Sequence, residues 1–237
     1  KTEAMDDVKQ SALALAEMGV ITVPCKLKIP QVPYSEWRNM PDHAAMEACV
    51  NAWESIGDIC EDAAVLCGTL ICVDVDVKND TFDDEITTGL FRLIHEDEFF
   101  QSLSDTYVER TASGGWHFWY YTPFQPKTES WAMVPDPKLP NKYKPVIEVR
   151  GENSLCRCYP SSGIKLDGNV RHITGAKILT QDEYLALKYA CVSLSLKPPE
   201  VLTKVSELAK ANTHTEAEGR RPGDHYNDDV DPIAIAQ

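Results

Sequence analysis

The chain has 237 residues, 43% apolar and 25% charged, with 23 Lys and Arg against 37 Asp and Glu for a formal net charge of −14. That length suits one large domain or two packed subdomains, and without an apolar run near the roughly 20 residues of a membrane helix or a basic-then-apolar leader a cytoplasmic chain with no membrane partner is expected. The acidic balance argues against tight duplex binding by counterion release more than against nucleotide chemistry, because many of the acids cluster between Asp80 and Glu98 and in the C-terminal part.

Apolar residues at helical spacing (Val8, Ala12, Leu15, Ala16) predict a helix over 6–18, stopped by Gly19. A strand over 20–25 follows, then a Pro- and Lys-rich ordered loop over 26–41 that holds Trp37, then a helix capped by Asp42 and running to about Ile56. The segments 63–67 and 70–77 read as strands around a Gly68-Thr69 turn, and 83–98 as a helix. β-Branched and aromatic residues between Gly and Pro breaks predict strands over 106–111, 116–121, 145–150 and 155–159. The Pro-rich stretch 123–145 reads as a long surface insertion, 181–190 and 199–211 as helices, and everything beyond Asn212 as a polar, acidic linker or tail. Helices first and then strands with interspersed helices indicate an α+β domain with a mixed or antiparallel sheet. Residues 1–211 are expected to form it, with an N-terminal α/β part over 1–70, a catalytic core over 71–180 and a tail over 212–237.

Of the eight cysteines, Cys25, Cys49, Cys67, Cys72 and Cys191 sit in apolar contexts, where a reduced Cys acts as a small hydrophobe. Only Cys156 and Cys158 are close-spaced, and strand alternation puts them on one face, which suits packing as well as ligation. The chain reads as reduced and zinc-free.

Three short stretches carry possible chemistry. In Leu70-Ile71-Cys72-Val73-Asp74-Val75-Asp76-Val77, strand alternation puts Asp74 and Asp76 on one face. Two such carboxylates repel unless a cation lies between them, and hard divalent ions such as Mg²⁺ or Mn²⁺ take oxygen ligands of this kind; the bland alternative is a solvated strand face. In Thr111-Ala112-Ser113-Gly114-Gly115-Trp116-His117, the glycines permit a tight turn and close approach to a ligand, while Ser113 can donate to a phosphate oxygen. An ordinary hairpin with a surface histidine would read the same way. In Val146-Ile147-Glu148-Val149-Arg150-Gly151, Glu148 and Arg150 share a face, as a surface ion pair or as a metal ligand beside a phosphate-binding arginine.

Taken in order, an apolar-strand Asp-x-Asp, a Ser-Gly-Gly-x-His and an apolar-strand acid-x-Arg-Gly resemble the bifunctional primase-polymerase (Prim-Pol) family of the archaeo-eukaryotic primase superfamily, known from plasmid, phage and CRISPR-associated replication proteins. Gly19-Val20 to Pro24 with Lys28-Ile29-Pro30 and Trp37, Ala64-Val65-Leu66-Cys67-Gly68, Tyr159-Pro160-Ser161-Ser162 and Arg221-Pro222-Gly223-Asp224-His225-Tyr226-Asn227 resemble further family stretches, so that the likeness spans most of residues 10–230. It implies an RRM-like primase palm and metal ligation by Asp74, Asp76 and Glu148. It implies nucleotide contacts from Ser113, Gly114, Gly115 and His117, with help from Arg150. The family more often carries Asp at the third acidic position, where Glu148 is one methylene longer.

The implied activity is template-directed nucleotidyl transfer, by a DNA primase or polymerase of plasmid- or phage-type replication. Two Mg²⁺ or Mn²⁺ ions would act on a dNTP or NTP. The implied partners are single-stranded template and primer, with a helicase region in cis or trans. Trp116, Trp131, Tyr143, Lys138, Lys142 and Lys144 offer stacking and charge suited to a single strand. A two-metal nuclease and a non-catalytic single-strand-binding module are the alternatives.

Overall fold

The computed structural model describes residues 2–198, with side chains from Asp7 onward. The helix predicted over 199–211 and the tail over 212–237 lie outside the described residues.

Helix α1 (Thr2–Glu17) ends, as its pattern predicts, at Gly19, whose φ of +84° is one that side chains disfavour. Strand β1 (Thr22–Lys26) matches the strand predicted over 20–25, and it forms a tight hairpin with β2 (Ile29–Pro30), which lies inside the predicted loop. Its turn residues Leu27 and Lys28 both have positive φ, and their N–H groups donate to Glu61 and Asp62 side chains. Helix α2 (Asp42–Ile56) starts one residue earlier than expected: Pro41 is the N-cap and Asp42, already helical, makes no capping hydrogen bond. Proline suits this position because its missing N–H would be an orphan at a helix start.

Strands β3 (Asp62–Leu66) and β4 (Leu70–Val75) are both present, yet they do not pair with each other. Gly68 and Thr69 carry the chain from one sheet to another instead of closing a hairpin. β3 lies between β1 and β9 (Leu155–Cys158), giving a four-stranded antiparallel sheet of order β2-β1-β3-β9. Every residue from Leu70 to Val73 is buried, so β4 needs neighbours on both edges and packing on both faces. It finds them in β6 (Trp116–Tyr121) and β8 (Tyr143–Arg150). β5 (Tyr107–Arg110), β7 (Glu129–Pro135) and β10 (Lys165–Asp167) extend this main sheet in the order β10-β5-β6-β4-β8-β7. β11 (Lys177–Ile178) pairs parallel to β6 where β5 stops, which makes the sheet mixed.

Helices α3 (Glu85–Glu96), α4 (Glu98–Ser104) and α5 (Gln181–Ser193) contribute to the core against one face of the main sheet, through Ile86, Leu90, Leu103, Tyr184 and Leu187 against Ile71, Val73, Phe118 and Ile147. The helix predicted over 83–98 corresponds to α3, and α4 is a further helix that the sequence reading did not include. In the structure Asp97 ends α3 and caps α4, accepting from Phe99 N at 2.8 Å and Phe100 N at 3.3 Å. A Thr180–Glu183 capping box starts α5. The Pro-rich stretch is no surface insertion: it supplies β7, whose Trp131, Ala132 and Val134 are buried. The other face of the main sheet packs on the N-terminal sheet, where Cys72, Tyr107 and Trp119 join one core with α1, α2, β1, β3 and β9. The result is an α+β fold built on antiparallel pairing. Among the described residues no helix is long and apolar enough to cross a membrane, and all eight cysteines are free and buried.

Where β9 ends, Ser161 continues its work. The buried Oγ accepts from Ala63 N at 2.8 Å and donates to Ala63 O at 3.1 Å. Ser161→Ala leaves two buried backbone groups unsatisfied, and urea denaturation should show a loss of about 1–3 kcal/mol.

Candidate functional site

β4 is the axis of the site. Its antiparallel registers place Asp74 opposite His117 on β6 and opposite Glu148 on β8, so one carboxylate has a histidine on one side and a second carboxylate on the other. The same register sets Cys72 opposite Trp119 and Arg150. Directly opposed side chains on one face approach to about 5 Å at Cβ, which is why three motifs separated by some 30 residues each converge. Cys72 and Trp119 are sealed against the N-terminal sheet. Two residues further along, the Asp74 and Glu148 side chains retain 19% and 20% of their exposure.

β4 stops at Val75 and Asp76 lies one residue beyond, opening a short 3₁₀ turn (Val77–Asn79). Its N–H donates to Val146 O at 2.7 Å and Asn79 Nδ2 donates to Pro145 O at 2.9 Å, so the chain leaving β4 follows β8. Oδ1 of Asp76 is buried and has no hydrogen-bond partner among the described residues. A buried anionic oxygen without a donor calls for a cation.

The charges are strongly coupled. Arg150 Nη2 lies 2.6 Å from Glu148 Oε1 and 3.8 Å from Asp74 Oδ2, so its guanidinium stands between the two acids. Burial pushes the Asp74 carboxyl above the usual range, against the opposing pull of His117 and Arg150, and Asp76 adds to the rise. Glu148 is raised in the same way, by burial first, with Arg150 opposing and Asp74 and Asp76 contributing. Carboxylates that repel one another in a partly desolvated cleft are the donor set a hard divalent cation takes. Asp74, Asp76 and Glu148 supply that donor type, but their oxygens do not all lie within 4.8 Å of one another, so holding one ion requires these side chains to turn inward.

His117 is buried rather than at the surface, and a residue absent from the motifs holds it there. Glu109 on β5, opposite His117 in the register, is fully buried. Its Oε1 lies 3.2 Å from His117 Nδ1 and accepts from Trp119 Nε1 at 2.7 Å. Its Oε2 accepts from Tyr107 Oη at 2.9 Å and Tyr159 N at 2.6 Å. With Nδ1 engaged, Nε2 faces Asp74 Oδ1 at 3.7 Å. The alternation Tyr107-Val108-Glu109 already marks a carboxylate on an aromatic strand face, but only the fold reveals that four donors converge on it. Burial works against a charged His117 ring, but Cys156, Glu109 and Asp74 outweigh it and raise its pKa well above the free value.

The Ser-Gly-Gly stretch is the β5–β6 turn, at the same end of the sheet as Asp76. Gly114 has φ +88°, and a Cβ on Gly115 would collide with Val75 O, so the turn presses against the end of β4. Gly114 N–H donates to Thr111 O and Gly115 N–H to Thr111 Oγ1, which occupies both glycine donors within the turn. Ser113 is exposed, with its Oγ 3.3 Å from Thr111 Oγ1.

Of the aromatic residues considered for template stacking, Trp131 is buried with Nε1 bonded to Glu129, which removes it. Trp116 is half-buried, 4.7 Å from Phe91 between ring centroids and covered by the Arg110 guanidinium at 4.0 Å. Lys138 and Lys142 are exposed in the β7–β8 connection, and Lys144 with Tyr143 begins β8.

The family model for the N-terminal domain of bifunctional DNA primase/polymerases matches residues 11–181. No curated protein matches the chain.

Because folding raises the His117 pKa, its charged form adds stability that is complete below about pH 6.5, the free imidazole value, and is lost as pH rises through the folded value. Glu109→Gln removes one of the charges responsible. NMR titration of the His117 ring should show a midpoint above 6.5 in the wild type and a lower one in the variant.

Proposed function

Since the chain belongs to the bifunctional DNA primase/polymerase family, we propose that the cleft beside β4 joins nucleotides on a single-stranded template, in replication of the plasmid or phage type, with the main sheet acting as an RRM-like primase palm. The observation that carries this reading is the cross-strand setting of Asp74 between Glu148 and His117, with the donorless Asp76 oxygen at the end of the same strand. Mg²⁺ or Mn²⁺ ions held by Asp74, Asp76 and Glu148 would supply charge stabilisation at the reacting phosphates and activate the attacking hydroxyl.

The protein's own groups orient the substrate. His117, fixed through Nδ1 by Glu109, presents Nε2 toward the carboxylates and donates from there to a triphosphate oxygen when charged. Ser113 Oγ adds a second donor from the exposed turn. Arg150, which neutralises Glu148 and Asp74 in the free protein, turns to the triphosphate when cations replace it between the acids. These contacts act by positioning, since phosphoryl transfer gives a protein little covalent chemistry to do.

β8 runs past the end of β4, so its first residues and the preceding lysines project beyond Asp76 on the side where the 111–115 turn also lies. Lys138, Lys142 and Lys144 give this otherwise acidic chain a local basic edge for the template backbone, with Trp116 and Tyr143 nearby in sequence to it or to the turn. The weak grip expected of so few cations suits a catalytic domain that relies on a helicase region for processivity.

Asp74→Asn should abolish metal-dependent extension of a primed template while far-UV circular dichroism stays unchanged. A normal extension rate would sink the mechanism, and shortening of the template in place of extension would mark a nuclease. The pair Lys142→Ala and Lys144→Ala should weaken single-strand binding and reduce the slope of log affinity against log salt by about 1–2. Fluorescence anisotropy across a salt series measures it, and an unchanged slope would remove this edge from the binding surface.

A further inference from the structure

Behind the carboxylates, three strands bring together groups that nucleotide chemistry leaves without a task. Cys72 on β4, His117 on β6 and Cys156 on β9 each offer one ligand atom, and those atoms all lie within 4.8 Å of one another, with all three residues buried. Two of the strands belong to the main sheet and the third to the N-terminal sheet, so the cluster lies between the sheets.

The spacing of these three groups is near that of a coordination polyhedron. Cys156 Sγ lies 3.9 Å from His117 Nε2 and 4.0 Å from Nδ1, and Nε2 is 3.7 Å from Asp74 Oδ1, although Asp74 is not within 4.8 Å of every member of the cluster. With Zn–S near 2.3 Å and Zn–N or Zn–O of about 2.0–2.2 Å, tetrahedral ligands lie about 3.4–3.8 Å apart. Only small side-chain movements separate the cluster from that geometry. Glu109 at 3.2 Å from Nδ1 leaves Nε2 as the nitrogen to ligate once the ring turns toward the sulfurs, and a carboxylate on the other ring nitrogen is the arrangement that orients and strengthens metal-bound imidazoles.

We propose that Cys72, His117 and Cys156 form a site for one zinc-class ion, with the Asp74 carboxylate, outside the cluster but 3.7 Å from His117 Nε2, turning in as the fourth ligand. Two thiolates and an imidazole select a soft or borderline cation such as Zn²⁺ over Mg²⁺ or Mn²⁺, which prefer all-oxygen sites. Binding displaces the two thiol protons to solvent. Asp74 and His117 then serve one site or the other, so zinc occupancy opposes nucleotide transfer; this consequence rests on the polymerase reading, whereas the binding itself does not. The zinc-free expectation came from linear spacing, which singled out Cys156 and Cys158. The fold instead joins Cys156 to residues 84 and 39 positions earlier.

The test titrates the reduced full chain with Co²⁺, then displaces it with Zn²⁺. A thiolate-to-cobalt charge-transfer band should saturate at one equivalent and vanish on zinc addition. Cys156→Ala and Cys72→Ala should each lose the band and weaken zinc binding, measured by chelator competition, by more than the roughly 10–100-fold expected for loss of a supporting residue in Glu109→Gln. Far-UV circular dichroism identifies properly folded variants, and because the two cysteines lie on different sheets either one suffices. No charge-transfer band, or wild-type zinc affinity in folded Cys156→Ala, overturns the site. Zinc at one equivalent should also stop Mg²⁺-dependent extension by the wild type and spare Cys156→Ala. Extension unaffected in zinc-loaded wild type overturns the sharing of Asp74. A chain that never extends a primer still reports on the site through its cobalt spectrum.

Discussion

A carboxylate on a strand hydrogen-bonded along both edges keeps its charge only if positive groups come to it, because the surrounding apolar walls withhold the water that would otherwise stabilise it. Asp74 is in that position, and much of the architecture follows from supplying what it lacks. β6 brings His117 to one side and β8 brings Glu148 with Arg150 to the other. The remaining imbalance is visible in the raised pKa values of both acids and in the donorless oxygen of Asp76. The cleft thus gathers three carboxylates, a histidine and an arginine beside the tight 111–115 turn.

The second constraint is the sealing of the neighbouring layer. Cys72 and Trp119 are committed to the core between the sheets, which holds β4 and β6 rigid immediately before their polar residues. Glu109 belongs to this layer. Burying a carboxylate is tolerated here because donors from a tyrosine, a tryptophan and a backbone amide surround it beside the His117 ring. That network ties β5, β6 and the chain after β9 to one point and sets the face that His117 shows to Asp74.

Two kinds of ligand atom lie close together in the cleft. Oxygen ligands lie on its open side and sulfur ligands on its closed side, with Asp74 and His117 at the boundary between them. In the proposed reading, cation softness decides which side an ion prefers and the shared residues set the two occupancies against each other.

Most helices and strands, and the three motifs themselves, were legible because each is a local signal. Periodicity marks α1 and α5, alternation puts Glu148 beside Arg150 on one face, and glycines with positive φ announce turns. β7 was missed because prolines flank it on both sides, although its residues between them are a buried strand. The strands around Gly68 read as a hairpin because turn chemistry says nothing about which sheet a strand joins. Taken alone, the sequence determined the family and the α+β class, since these depend on residue type and near-neighbour spacing. Only the tertiary structure decided that β3 and β4 part into different sheets, that Glu109 orients His117, and that Cys72 and Cys156 meet beside it. Those facts depend on pairing between strands far apart in the chain, where no periodicity in the sequence records which partner will be found.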